Sequence, residues 1–476
     1  MTVLQNLSIA KLQEGYKNKD FSVREVVDFF IERIEKHDNK INSFTTTTFD
    51  QARKLANMAD EKIAKDGPDI IAGNPLLGIP LAYKDIYSTK GVKTTASARV
   101  LENYVPSFSS TVVSRLEDAE AISLGKLNCD AWAHGSSGEN SDFGPTKNPW
   151  NLEYVPGGSS SGSAAAVASE FIIAATASDT GGSIRLPSSF CGVSGIKPTY
   201  GRVSRYGVVA MASSLDSMGL IASSVEDLAR ILEITAGKDF KDATSWDIEV
   251  ASYSKELNEQ VKELRIGIPA EYFGKGLSGV VKEKVDDAIK KFEEQGAQIQ
   301  EVSLPHSEYA IPAYYIIMAS EVSSNLARYD GIRFGNGRDA FGEETKRRIM
   351  LGTFSLSSGY KDEYYNKAQE VRRLITKDFT DAFEKVDMLI APVSPTPPFK
   401  LREKTEDPLQ MYLSDILTVS VNLAGVPALS LPCGFTQDEL PIGLQLIGPK
   451  FSELKLFRAG YEYQQLTDWH KRKPQL

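Results

Sequence analysis

Between Val23 and His37 apolar residues recur with a helical period. Val26, Phe29, Ile31 and Ile34 supply much of one apolar face, and Ser22 with Glu25 makes a capping box ahead of it. A second amphipathic helix is predicted from Gln51 to Lys65, so residues 1 to about 70 read as a helical N-terminal part. From Leu76 the rhythm changes. LLGIPLAYKDI reads as a buried strand, helical TVVSRLEDAEA precedes strand-like AISLGKL, helical GSAAAVASE precedes strand-like FIIAATA, and a helix over VEDLARILEITAG follows Ser224. Alternation of this kind favours a mainly parallel sheet covered by helices.

The polar stretch between Ala236 and Ala251 reads as a surface loop at which a domain boundary could fall. The same rhythm nevertheless resumes beyond it with RIGIP, the helix VVKEKVDDAIKKFEE and QIQEVSL. In that helix Val281, Val285, Ala288 and Phe292 share one side. VDMLIAPVSP, ALSLPCGF and IGLQLIG are strand-like, and a helix from Ser452 to Leu466 closes the chain. The pattern therefore predicts one large α/β unit over residues 1–476, with the N-terminal helical part packed on it.

Composition narrows the possible partners. With 54 Lys and Arg against 63 Asp and Glu, the 476 residues carry a net charge of −9. That balance argues against a chain that clamps nucleic acid by itself, because phosphate binding relies on clustered cations. Any RNA would be held with the help of a partner. Cys129, Cys191 and Cys433 lie far apart and form no CxxC or Cys/His cluster, so no zinc site is expected. The first 20 residues lack a basic start followed by an apolar run, and runs such as Phe171 to Ala177 fall far short of the roughly 20 residues that cross a bilayer. The expectation is a cytoplasmic protein in a reducing compartment, without membrane contact.

Two glycine–serine stretches could carry chemistry. The first, VPGGSSSGSAAAVA at 155–168, reads either as a flexible loop or as a backbone presenting N–H groups and hydroxyls ahead of a small-residue helix. It lacks the GxxxxGK[ST] pattern of a phosphate cradle. Gly158-Ser159-Ser160-Ser161-Gly162 matches the GxSxG elbow, but of the downstream histidines, His306 and His470, neither sits in an evident turn after a strand. The second stretch, SDTGGSIRLPSS at 178–189, follows FIIAATA. Here Thr180, Gly181 and Gly182 could aim backbone N–H groups at one point beside the Ser183 hydroxyl, or could simply turn the chain. A serine nucleophile needs a base. Lys84, ending IPLAYK among Ile79, Leu81 and Tyr83, would lose hydration and with it basicity, unless it reaches water or pairs with Asp85.

Lys84, PGGSSSGSAAAVA and ASDTGGSIRLPSS together resemble the amidase signature family, and GVPALSLPCGF and LPIGLQLIG resemble its closing strands, so the likeness spans nearly the whole chain. The resemblance implies a single α/β/α domain around a mixed, mostly parallel sheet, and hydrolysis of an amide by a Ser-Ser-Lys triad. Carried onto this chain, Ser183 is the nucleophile, Ser159 the bridging serine behind a cis Gly158-Ser159 bond, and Lys84 the base. Thr180, Gly181 and Gly182 would line the oxyanion hole with Ser183, and Asp179 with Arg185 would form an ion pair that steadies the loop.

Within the family, SEVSSNLARYDGIRFG, TKRRIMLGTFSLSSGYKDEYYNKAQEVRRLI and DPLQMYLSDILTVSVNLAGVPALSLPCG resemble the glutaminase subunits of tRNA-dependent amidotransferases. That likeness implies glutamine as substrate, with Arg348 on its α-carboxylate, Asp415 on its α-ammonium and Tyr314 lining the pocket. Read without the likeness, Arg348 and Asp415 are exposed helix residues. The likeness also implies a heterotrimer completed by the amidotransferase's B and C subunits, with misacylated tRNA, Glu-tRNA(Gln) or Asp-tRNA(Asn) or both, held mainly by the former, ATP and Mg used by the partner, and no cofactor bound by this chain. A free-standing amidase and a catalytically silent scaffold are the other readings. The chain departs from the pattern at Ser161, where glycine is frequent, and at His134 in CDAWAHGSSGENS, a position that is often apolar.

Overall fold

The computed structural model describes residues 7–259, 263–274, 276–332, 336–405 and 407–476. Its centre is one eleven-stranded sheet in the order β1-β3-β2-β4-β6-β5-β10-β11-β9-β7-β8. The strands are β1 (Phe44–Thr47), β2 (Pro80–Lys84), β3 (Ile122–Leu127), β4 (Ala174–Asp179), β5 (Ser194–Lys197), β6 (Ser217–Ala222), β7 (Arg265–Pro269), β8 (Gln298–Val302), β9 (Met388–Pro392), β10 (Ala428–Phe435) and β11 (Pro441–Ile447). The inner strands β2, β4, β5, β6, β9, β10 and β11 are buried at every position. Helices cover them, as the continuous apolar runs require.

The sheet is mixed, as expected, but mostly antiparallel. Neighbours run parallel at β3/β2, β2/β4, β9/β7 and β7/β8. They run antiparallel at β1/β3, β4/β6, β6/β5, β5/β10, β10/β11 and β11/β9. Two features reverse the expected majority. β10 and β11 are joined by too few residues for a crossover, so they can pair only as a hairpin. β5 and β6 are short, built partly from Ser, Gly and Ala, and joined by irregular chain, so the helix–strand alternation did not reveal them.

The N-terminal part matches its prediction in its helices. Val23–Ile41 carries the capping box in full, with the Ser22 hydroxyl accepting from the Glu25 N–H and the Glu25 carboxylate accepting from the Ser22 N–H. Phe49–Asp66 is the second of the predicted helices, and a further helix, Ile9–Asn18, precedes both. Between the two predicted helices lies a strand that the helical reading passed over, β1, which pairs with β3 and makes this part an edge of the main sheet. The strand expected over FIIAATA begins at Ala174.

The parallel pairing of β2 with β4 positions the site. It registers Leu81 with Ala174 and Ala82 with Ala175, so Lys84 and Ser178 finish their strands at the same end of the sheet. Parallel strands present their carboxyl ends together, and ligand sites in α/β sheets form there. The helix Ser161–Ala168 lies against them with every residue buried, which its Ser, Gly and Ala side chains permit.

Candidate functional site

The Lys84 side chain is fully buried and points into the protein. Its Nζ lies 2.8 Å from Ser159 Oγ, 2.9 Å from Ser160 Oγ and 2.9 Å from Ser178 Oγ. It does not pair with Asp85. That carboxylate instead accepts from the Thr95 and Ser97 N–H groups and stands 3.7 Å from the buried ammonium of Lys126. Burial lowers the Lys84 amine to about 8, although Cys129, Asp130, Asp179 and Asp216 favour its charged form.

The hydroxyl protons define a direction. Ser160 donates its own to the Ser178 carbonyl at 3.2 Å, so it can only accept from Lys84. Ser159 has no such commitment among the described residues. A neutral amine donating to Ser160 and Ser178 keeps its lone pair for the Ser159 proton.

The peptide bond between Gly158 and Ser159 is cis. The next N–H, that of Ser160, donates to the Ser183 carbonyl at 3.2 Å and joins the two serine loops. The Ser183 hydroxyl is half-buried and makes no hydrogen bond among the described residues. Nor do the N–H groups of Gly181, Gly182 and Ser183 find acceptors there, so the turn presents unused donors beside that hydroxyl.

Its shape is held from below and from the side. The Asp179 carboxylate accepts from the Ile184 and Arg185 N–H groups at 3.1 and 3.4 Å, and pairs with the Arg185 guanidinium at 3.1 and 3.0 Å. Arg185 also donates to Gln445, to the Thr418 carbonyl and to Asn422, while Asn422 donates to the Asp179 carbonyl. Burial opposes the Asp179 charge, but Arg185 outweighs it and holds the carboxyl down to about 2. Thr180 donates its hydroxyl to Asp216 at 2.8 Å.

Gly181 and Gly182 are required by close approach. A Cβ on Gly181 would come within 2.6 Å of the Tyr314 ring, and one on Gly182, at φ +145°, within 2.4 Å of Thr418 Oγ1.

Of the predicted substrate-binding residues, Tyr314 and Asp415 lie against this turn, and Arg348 stands near enough to both for its charge to act on them. Tyr314 comes from the helix Ala310–Leu326, and Arg348 from Glu343–Leu356, where it is 4% exposed and not a surface charge. Arg348 Nε donates to Glu344 at 2.8 Å and Nη1 reaches Met318 Sδ at 3.5 Å, while its second terminal nitrogen meets no partner among the described residues. Asp415 is buried rather than exposed, accepts from the Ser136 hydroxyl, and lies 3.4 Å from where a Gly182 Cβ would stand. Burial pushes its carboxyl up to about 7, against the pull of Ser136 and Arg348. Thr418 closes the circle by donating to the Gly181 carbonyl at 2.6 Å.

Ser160, Ser178, Ser136, Thr418 and Asn422 were not singled out in the sequence. Thr418 and Asn422 stand four apart, a helical spacing just after Asp415, which was the one available signal. No metal-binding cluster occurs among the described residues. The histidine that a GxSxG elbow needs is missing from these contacts, and His306 pairs with Asp378 at 2.8 Å instead.

A family model described as Amidase matches residues 25–457. The chain is 52% identical over 488 residues to the A subunit of the glutamyl-tRNA(Gln) amidotransferase of Geotalea daltonii, covering 99% of this chain and 100% of that protein. It is 52% identical to the protein of the same name from Moorella thermoacetica, covering 99% of each. Among solved structures it resembles the A subunit of the glutamyl-tRNA(Gln) amidotransferase from Thermotoga maritima, with a TM-score of 0.79 and 39% identity over 95% of this chain and 93% of that one.

Proposed function

Because the chain belongs to the amidase family, we propose that it is the glutaminase subunit of a tRNA-dependent amidotransferase, releasing ammonia from glutamine for a partner to use. The observation that carries this reading is the fully buried Lys84 amine, brought near neutrality and set 2.8 Å from Ser159 Oγ beside the Ser183 turn. Neutral Lys84 takes the Ser159 proton while Ser159 takes that of Ser183. The Ser183 oxygen then adds to the side-chain amide carbon of glutamine. The resulting oxyanion is met by the N–H groups of the turn from Thr180 to Ser183. As the C–N bond breaks, the proton returns along the same relay to the nitrogen, and ammonia leaves. Water attacks the acyl-Ser183 ester through the same base and releases glutamate.

The charged ends of the substrate select it. Arg348 offers a guanidinium edge to the α-carboxylate, Asp415 a carboxylate to the α-ammonium, and Tyr314 packs between them and the turn. The names of the relatives support glutamyl-tRNA(Gln) as the acceptor chemistry of the whole assembly. In this reading, the B and C subunits of the amidotransferase complete it, and ATP, Mg and tRNA fall to the partner, in keeping with the net charge of −9.

The test is to assay the chain alone and with its partner subunits for glutamine hydrolysis and for conversion of Glu-tRNA(Gln). Ser183→Ala abolishes ammonia release in both assays while the fold survives. Turnover of unrelated amides at rates above glutamine, without partners, would replace this reading with a free-standing amidase.

A further inference from the structure

His134 is fully buried, and neither of its ring nitrogens meets a hydrogen-bond partner among the described residues. Buried polar atoms are rarely left so, because each forfeits its bonds to water without replacement. The backbone of the residue is fixed independently of the ring: its N–H donates to the Ala131 carbonyl at 3.0 Å, and its carbonyl accepts from Asn140 Nδ2 at 3.1 Å. Two residues on, the Ser136 hydroxyl meets Asp415. Arg348 stands near enough for its charge to act on the ring. Burial first, and then the nearby Arg348 charge, keep the imidazole neutral. The ring thus belongs to the same neighbourhood as the two groups assigned to the ends of glutamine.

A neutral imidazole carries one N–H donor and one acceptor nitrogen, and a carboxylate has more acceptor positions than one guanidinium edge fills. A second cation beside Arg348 would repel it, whereas a neutral donor adds a bond without that penalty. We propose that His134 is a specificity-determining residue of the amino-acid pocket, donating its ring N–H to the same α-carboxylate that Arg348 holds. This deepens the glutaminase reading and rests on it.

The test is steady-state glutamine hydrolysis by the complete complex, with wild type, His134→Met and His134→Gln compared. Methionine keeps a similar volume and removes the donor, while glutamine restores an N–H. His134→Met raises KM for glutamine about tenfold and leaves kcat within about twofold, as loss of one charge-assisted hydrogen bond requires. His134→Gln recovers most of that loss. An unchanged KM in His134→Met, a fall confined to kcat, or equal damage in both variants overturns the assignment. If His134→Met does not fold, His134→Leu is judged by the same criteria against His134→Gln. Absence of glutamine hydrolysis in the wild-type complex overturns the glutaminase reading itself, and this subsite with it.

Discussion

Asp179 and Arg185 close a two-point ion pair across the turn that carries Ser183, with Oδ2 to Nε at 3.1 Å, Oδ1 to Nη2 at 3.0 Å and both side chains wholly buried. The same carboxylate binds two N–H groups of the turn, so one residue sets both the charge balance and the backbone path. Asp179→Asn keeps the shape and removes the charge. It strands a buried guanidinium and costs about 3–5 kcal/mol of stability. Denaturant titration of the variant beside wild type at neutral pH measures this. The pH dependence has a definite sign: a carboxyl held near 2 stabilises fully above its ordinary value of 3.8 and loses that contribution as pH falls through about 2. The variant lacks this acid-dependent component.

Lys84 must be neutral to accept a proton, and its amine sits near 8. kcat for ammonia release therefore rises with pH through a single ionisation near 8 and levels off above it. Lys84→Arg keeps the positive charge but cannot deprotonate, so it is as inactive as Lys84→Met at every pH tested. Ser178→Ala removes one acceptor of the ammonium form and shifts the acid limb to lower pH. A pH–rate profile of each variant decides these points.

If Arg348 holds the α-carboxylate as proposed, Arg348→Ala raises the glutamine KM by about 10–100-fold, with a smaller effect on kcat. An unchanged KM would remove Arg348 from the pocket. Asp415 adds a pH signature: with its carboxyl near 7, protonation below that value weakens its attraction for the α-ammonium. kcat/KM, which also senses Lys84, thus falls more steeply below pH 7 than kcat does.

Gly181→Ala drives a methyl group into the Tyr314 ring, because a Cβ there has only 2.6 Å of separation. The turn shifts and its donors no longer aim at the oxyanion, with a loss of about 10²–10³ in kcat, the scale of losing one oxyanion donor. Gly181→Ala with Tyr314→Ala relieves the clash and recovers part of that rate if the collision is the cause.

Much of this was legible in the sequence where a residue announces itself by local pattern. The Ser22/Glu25 box, the helix over 279–294 and the strands β7 to β11 follow from periodicity and capping. Lys84, Ser159 and Ser183 could be named because each stands in an unusual stretch and the family pattern joins them, and the structure brings Lys84 to Ser159. Strand direction was less accessible, since it depends on which distant strands become neighbours. β5 and β6 carry few of the branched residues that mark a strand, and they insert antiparallel pairs in mid-sheet. Ser178, Thr418 and Asn422 went unremarked because a hydroxyl or amide declares its role only through partners brought from elsewhere in the chain, as when Asn422 reaches Asp179.

Thr418 sits three residues beyond Asp415 and bonds the carbonyl of Gly181. The segment that would feel the amino end of the substrate is thereby fastened to the Gly181–Gly182 peptide, one plane short of the proposed nucleophile. In the proposed mechanism, recognition and reactivity are therefore geared to one short piece of chain. Redesigning this enzyme for amides without an amino group cannot be done by widening the pocket alone, since any movement of that segment retunes the reaction centre as well.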